Sequence, residues 1–284
     1  MDIIRSVSEM QQRVASAQIA GATISFVPTM GFLHQGHVSL LEEGRKQGDL
    51  LILSIFVNPT QFGQGEDFED YPRDFQQDSE LAHQAGVDII FAPTAAEMYP
   101  QGYATYVDVE GITETLCGAS RPGHFRGVCT VVSKLFNIIH PQVAFFGNKD
   151  FQQLAVIKRM TLDMNMPVEI LGLPIFREAD GLALSSRNVY LTPDQRRQAL
   201  ILSQSLEKAK QLVTSGETDC AEIISQLEKN ISKVPDARID YIQICHQLSL
   251  QDQTHIDANS VLLLAVYIGK TRLIDNGFLV PEND

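Results

Sequence analysis

The chain is short of positive charge: 22 Lys and Arg stand against 35 Asp and Glu, a formal net charge of −13 over 284 residues. That balance excludes nonspecific attraction to nucleic acid or to anionic membrane, because both need an excess of basic groups. An anionic ligand must therefore be met by a few local cations, and each Lys or Arg beside a polar motif gains weight. Paired cysteines are also missing. The four present, Cys117, Cys129, Cys220 and Cys245, lie far apart and form no Cys-x-x-Cys. Neither a zinc knuckle nor a disulfide framework is expected, and a reducing, cytoplasmic compartment is. Long apolar runs are absent too. The nearest approach to the ~18 residues of a membrane span is SVLLLAVYIGKTRLI, which Lys270 and Arg272 interrupt. The opening MDIIRSVSEMQQRVASAQIAG is charged and amphipathic, without the apolar core of a signal peptide. No internal repeat or low-complexity tract stands in for these missing features.

What is present is alternation. Up to about residue 176, β-rich runs at 23–29, 50–59, 87–93, 143–147 and 167–176 are separated by helical patterns near 36–47, 72–85, 125–139 and 150–165. The second and fourth runs are almost continuously apolar, as parallel strands covered on both faces are. Such alternation predicts a doubly wound parallel α/β sheet, whose ligands sit beyond the carboxyl ends of its strands. Gly48 and Gly86 follow two of the helices and are expected as left-handed caps. Asp150 is placed to cap the helix that follows it. From about residue 177 the pattern changes. Thr192, Pro193 and Gln195 make a capping box with Pro at the first helical position, so a long helix is expected to start there. A second helix near 218–232 and three β-like runs at 238–246, 261–269 and 271–280 complete a smaller α+β domain. The expected domains are thus 1–176 and 177–284.

Five stretches carry polar chemistry. In FVPTMGFLHQGHVSLLEEG the first strand runs into a turn, and His34 and His37 fall at the start of a helix, three residues apart. Free backbone N–H groups, the positive end of the helix dipole and two imidazoles make an anion site, with Gly36 allowing close approach. Two histidines decorating a loop would look the same in isolation, and zinc would need a third ligand that the spacing does not supply. After the second strand, FVNPTQFGQGEDFEDYPRD offers the uncharged amides Asn58 and Gln61, suited to a small polyol or carboxylate. Gly63 and Gly65 lack the third glycine and the following helix of a dinucleotide fingerprint. RPGHFRGV gathers Arg121, His124 and Arg126 before a helix, either as a basic cluster or as a solvated loop. FFGNKDFQQ sets Gly147, Lys149 and Asp150 at a strand-to-helix turn, where a lysine can pair with phosphate. READGLALSSRNVYLT ends in Ser185, Ser186 and Arg187, a hydroxyl–hydroxyl–guanidinium set suited to a triphosphate.

Together these residues resemble a known family. His34-Gln35-Gly36-His37 is similar to the HxGH signature of the nucleotidyltransferase superfamily related to class I aminoacyl-tRNA synthetases, and ALSSRN occupies the place of its KMSKS-type loop. With VPTMGFLHQGH, FVNPTQFG, DYPRD, RPGHFRGV, FGNKDFQQL, READGLALSSRN and TRLIDN, the resemblance over the whole chain is to the pantoate–β-alanine ligases. It implies a Rossmann-like first domain, a small second domain that closes over ATP, and a homodimer formed through the first domains. It implies ATP-dependent condensation of pantoate with β-alanine through a pantoyl adenylate, using Mg²⁺ and releasing AMP and pyrophosphate.

By resemblance, Met30, Gly31, Phe32, Leu33, His34, Gln35, Gly36 and His37 line the ATP site, with His37 the catalytic donor and His34 beside it. Gln61 and Gln153 bind pantoate, and Gln61 also faces β-alanine. Gly147, Asn148, Lys149 and Asp150 hold the nucleotide. Phe176 meets the adenine through its backbone, and Leu184, Ser185, Ser186 and Arg187 clamp the triphosphate. Asn58, Arg121 and His124 are second-tier candidates. No Mg²⁺ ligand is assigned, Asp78 being the carboxylate considered. The family commonly has Glu where Asn148 stands and Met where Leu184 stands; neither position carries the assigned chemistry. Competing assignments are a nucleotidyltransferase of the same superfamily that releases its nucleotidyl product, a noncatalytic ATP sensor, and a zinc protein using both histidines.

Overall fold

The computed structural model describes residues 1–280. They fall into two compact units. The first comprises Met1–Thr113, Cys117–Asn148 and Gln153–Pro174; the second takes in Glu114–Leu116, Lys149–Gln152 and the chain from Ile175 onward.

The first unit holds a six-stranded sheet in the order β1-β4-β3-β2-β5-β6, and every pairing in it is parallel. Its elements are β1 (Asp2–Ile4), α1 (Val7–Ile19), β2 (Ile24–Thr29), α2 (Gln35–Gln47), β3 (Leu50–Ile55), α3 (Phe75–Gln84), β4 (Ile89–Phe91), α4 (Ala95–Met98), α5 (Cys117–Ser120), α6 (His124–Ile139), β5 (Val143–Gly147), α7 (Phe151–Asp163) and β6 (Glu169–Leu173). The expected α/β class and its strands are borne out. Alternation along the strands divides the core into two layers. Val27, Leu51, Leu53, Ile90, Val143 and Phe145 point to one face, where they pack with Leu40 and Leu41 of α2 and Ala82 of α3. Phe26 points to the other face and meets Phe136 of α6 edge-on. Each large side chain removed from water there contributes about 1.5–3 kcal/mol.

The sheet grows outward from β2 through β3 to β4, and then in the opposite direction through β5 to β6. The switch point therefore lies between β2 and β5. The loops after these strands flank the crevice where doubly wound sheets place their ligands.

Two glycine-and-cap expectations are corrected. Gly86 is left-handed, with φ +79. Gly48 is extended, with φ −129, and it is needed for space, because a Cβ there would lie 2.5 Å from Ser25 Oγ and 2.8 Å from Ser25 N. Asp150 caps nothing. It ends a short 3-10 turn (Asn148–Asp150) ahead of α7, and its exposed side chain has no hydrogen bond among the described residues.

The second unit contains α8 (Pro193–Ala199), α9 (Ile201–Thr214), α10 (Cys220–Ile231) and an antiparallel sheet of β7 (Ala237–His246), β8 (Ser260–Ile268) and β9 (Thr271–Phe278). The capping box forms as expected: Thr192 Oγ1 accepts from Gln195 N–H, and Gln195 Oε1 accepts from Thr192 N–H. The helix it starts breaks at Leu200 into two pieces. Leu202, Leu206 and Ala209 of α9, with Ile223 and Leu227 of α10, pack on Ile242, Ile244, Leu262, Leu264 and Val266.

Candidate active site

In the first unit the turn after β2 is built before the helix begins. Gly31 and Phe32 are both left-handed, with φ +83 and +50, which a glycine accepts freely and a phenylalanine does not. Thr29 Oγ1 donates to Ser54 O at 2.8 Å and accepts from Gly31 N–H at 3.2 Å, tying the strand end to β3. The N–H groups of Phe32 and Leu33 then donate to the two oxygens of Asp78, at 2.9 and 2.6 Å. Asp78 is 2% exposed. Burial pushes its carboxyl up, the two backbone N–H groups pull it down, and the charge of Asp74 adds to the rise, leaving it above its ordinary value. Each oxygen of Asp78 thus accepts one backbone N–H of the turn.

His34 is the N-cap residue of α2, and its own N–H donates to His37 Nδ1 at 3.2 Å. A nitrogen that accepts a hydrogen bond carries no proton, so the neutral His37 ring is protonated at Nε2 and presents a donor there. The two rings lie 4.0 Å apart, tilted by 31°. Gln35 and Gly36 open the helix, where N–H groups have no intrahelical carbonyl to bond. Two imidazoles and these amides share one helix N-terminus, which is the chemistry of a polyphosphate grip. Leu33 differs from its neighbours: its side chain is buried in the core, so only its backbone belongs to the turn.

Gln61 ends a 3-10 turn (Pro59–Gln61) after β3. Its Nε2 donates to Met30 Sδ at 3.0 Å, so the loops after β2 and β3 touch through two predicted site residues. Asn58 serves the turn itself. Its amide donates to Gln61 Oε1 and to Gly127 O, and its oxygen accepts from the hydroxyls of Thr60 and Tyr99. Close approach here requires glycine at 127, where a Cβ would lie 2.3 Å from Thr60 O and 2.6 Å from Gln61 Cα.

Arg121 and His124 also turn inward. Arg121 makes two bonds to Glu66, at 2.7 and 2.6 Å, and a third to His124 Nε2 at 3.0 Å; His124 Nδ1 donates to Gln61 O at 2.8 Å. Burial pushes Glu66 up, and the Arg121 guanidinium overrides it, holding the carboxyl below its ordinary value. Arg126 stands apart, over the Tyr106 ring and 3.7 Å from Asp108. The apparent basic cluster is therefore scaffolding for the loop that presents Gln61.

After β5, Gly147 has open space where a Cβ would be, while Asn148 turns its amide towards β6, 2.3 Å from where a Cβ on Gly172 would sit. The half-buried Gln153 has no side-chain hydrogen bond among the described residues.

In the second unit, Lys149 O accepts from Asn276 Nδ2 at 2.9 Å, and its ammonium has no ion-pair partner among the described residues. Phe176 and Leu184 are joined by a backbone bond of 2.9 Å, closing a short hairpin that turns at Gly181, φ +93. Its base is locked by Arg177, which makes two 2.8 Å bonds to the buried Asp275 of β9. Ser185 Oγ accepts from Arg187 N–H at 3.3 Å and starts a 3-10 helix (Ser186–Tyr190) in which Ser186 is buried. β9 thus anchors Lys149 through Asn276 and the 176–184 hairpin through Asp275. Among the described residues, no group of three or more His, Cys, Asp or Glu side chains could hold a metal ion.

The residues that the sequence did not single out are the holders Tyr99, Gly127, Asp275 and Asn276; Asp78 was considered only for Mg²⁺, not as a holder of the turn. Only TRLIDN carried a trace of Asp275 and Asn276.

Comparison with known proteins places the chain in a family. The family model described as pantoate-beta-alanine ligase matches residues 2–278. The pantothenate synthetase of Syntrophotalea carbinolica is 58% identical over 99% of this chain and 100% of its own length. That of Geobacter sulfurreducens is 55% identical over 99% and 100%. Among solved structures, pantothenate synthetase from Thermus thermophilus superposes with a TM-score of 0.94 at 44% identity, covering 99% of this chain and 100% of that one. The ligase from Francisella tularensis, complexed with β-γ ATP and β-alanine, superposes with a TM-score of 0.84 at 35% identity, covering 98% of each chain. The chain belongs to the pantoate–β-alanine ligase family.

Proposed function

We propose that this chain joins pantoate to β-alanine in two steps at the expense of ATP. In the first, a pantoate carboxylate oxygen bonds to the α-phosphorus and the bond to pyrophosphate breaks, leaving pantoyl adenylate. In the second, the β-alanine amine attacks the acyl carbon, loses a proton, and AMP departs with the bridging oxygen. The observation that carries this reading is the His37 ring, whose Nδ1 is occupied by the His34 N–H, leaving an Nε2–H donor at a helix N-terminus.

The carboxylate nucleophile is already ionised at neutral pH, so the first step needs no general base. Its barrier comes from bringing an anion to a polyphosphate and from charge growing on the departing pyrophosphate. Donors that tighten on that charge lower it. His34, His37 and the first amides of α2 supply such donors in one unit; Lys149, Ser185, Ser186 and Arg187 supply them in the other. Gln61 and Gln153 orient pantoate, and Gln61 also faces β-alanine. Neutral amides there avoid trapping the carboxylate in a salt bridge. Met30 to Gly36, Gly147 to Asp150, and the backbones of Phe176 and Leu184 complete the nucleotide site.

Mg²⁺ enters with ATP as the substrate complex, held by phosphate oxygens and water. The chain works as a cytoplasmic homodimer in this reading. No helix of the described residues is long and apolar enough to cross a membrane.

The test supplies ATP, Mg²⁺ and pantoate, with and without β-alanine. Pantoate-dependent exchange of pyrophosphate into ATP, with AMP released only when β-alanine is added, is expected. Nucleotide binding without turnover would instead identify a sensor, and release of a nucleotidyl product would identify another transferase.

A further inference from the structure

The turn that carries the histidines is held by a side chain that belongs to none of the motifs, 46 residues from Phe32 and 45 from Leu33. We propose that Asp78 is a positioning residue for His37: its buried carboxylate fixes the backbone at Phe32–His34 and thereby the pose and tautomer of the imidazole. The inference rests on the reading of His37 as a donor to the polyphosphate.

The geometry forms a chain of three N–H groups. Those of Phe32 and Leu33 are taken by Asp78 Oδ2 and Oδ1, and the next one, of His34, is taken by His37 Nδ1. Two successive left-handed residues turn the first two amides to one side, a concavity that favours an anion. Leu33 is buried, and its amide would be costly to leave without a partner. A carboxylate satisfies both amides at once. Gly31 is fitted to it, since a Cβ there would lie 2.9 Å from Asp78 Oδ2. If the turn at Phe32–Leu33 shifts, the adjoining Leu33–His34 peptide shifts with it, and His37 Nδ1 loses the donor that keeps it unprotonated.

Asp78→Asn keeps the size of the side chain and turns one acceptor oxygen into an NH₂ group that faces a backbone N–H. The turnover number for pantoate-dependent pyrophosphate exchange is expected to fall about 10- to 100-fold, the loss that a displacement of about 1 Å brings. The KM values for ATP and pantoate should stay within about threefold, and unfolding should remain cooperative. In ¹⁵N spectra of histidine-labelled protein, His37 should leave the Nε2–H form. Wild-type turnover with an unchanged His37 spectrum would overturn the proposal. So would recovery of activity at raised Mg²⁺, which would make Asp78 a metal ligand.

If Asp78→Asn does not fold, Gly31→Ala presses on the same carboxylate from the other side and is read by the same kinetic split. The wild-type spectrum decides independently: a protonated Nδ1 on neutral His37 contradicts the proposal outright. His37→Ala separates the two readings. Wild-type exchange in that variant would remove the catalytic role of His37, while a moved His34 amide signal in Asp78→Asn would leave the clamp standing.

Discussion

The histidine turn of the first unit and the Ser-Ser-Arg segment of the second are both read as grips on phosphate, yet they are fixed in different ways. The histidine turn is held from behind by a distant buried carboxylate, with three consecutive amides committed to side chains. The Ser-Ser-Arg segment follows a hairpin bond between Phe176 and Leu184, starts on a serine cap of its own, and has the Arg177–Asp275 lock at the hairpin's base. A grip held from behind leaves its donors no alternative pose before the ligand arrives. The Ser-Ser-Arg segment takes its order from its own turn, in which Ser186 is buried.

The largest consequence of this contrast should appear at His37. His37→Ala is expected to lower the rate of adenylate formation about 100- to 1000-fold, as loss of a preorganised donor does, while pantoate binding by calorimetry changes little. Equal losses in both would mean that the histidine binds pantoate and does not stabilise the transition state. Gly127→Ala comes next. A Cβ 2.3 Å from Thr60 O must push the Pro59–Gln61 turn away from α6. A loss of about 2–4 kcal/mol is expected in urea unfolding, with pantoate affinity falling through the displaced Gln61.

Asp275→Ala probes the long-range lock of the second unit. It leaves Arg177 without its bidentate partner; that side chain is 31% exposed and recovers some hydration, so a loss of about 2–3 kcal/mol is expected. Nucleotide affinity should fall too, because Asp275 and Asn276 hold the hairpin and Lys149 on one strand. Unchanged nucleotide affinity would show that the hairpin carries its own order. Thr192→Ala removes one half of the capping box and should cost about 1 kcal/mol in urea unfolding.

The smallest effect is electrostatic. The Glu66 carboxyl is held below its ordinary value in the folded chain. Its pairing with Arg121 therefore adds stability that is complete above the unfolded carboxylate pKa and is lost as pH falls through the folded one. Glu66→Gln should cost about 0.5–1 kcal/mol at neutral pH and flatten that part of the acid side of the stability profile. An unaltered slope would remove Glu66 from the loop's support.

What the sequence disclosed and what it hid follow one physical division. Strands such as LLILSI announce themselves because burial on both faces demands an unbroken apolar run. Three-residue β1, with two of its residues exposed, has no such pattern, and neither it nor the helix after it was legible. Thr192, Pro193 and Gln195 were readable because a capping box is local. The break at Leu200 was not, since nothing in the local pattern marks it. In the same way His34, His37, Lys149 and Ser185–Arg187 stand in compact motifs, whereas their holders act across long separations: 69 residues from Asn58 to Gly127 and 98 from Arg177 to Asp275. The bonds of Arg121 and His124 to Glu66 and Gln61 were hidden for the same reason. A cluster of basic groups in sequence does not reveal that Glu66 and the Gln61 carbonyl already occupy them.

The proposed chemistry turns on an acyl adenylate formed by direct attack of the pantoate carboxylate on the α-phosphorus. Pantoate labelled with ¹⁸O in its carboxylate, followed by mass analysis of the AMP released with β-alanine, tests that attack at the bond it forms. One ¹⁸O atom is expected in each AMP from fully labelled pantoate. AMP without label, alongside normal pantothenate formation, would contradict the mechanism.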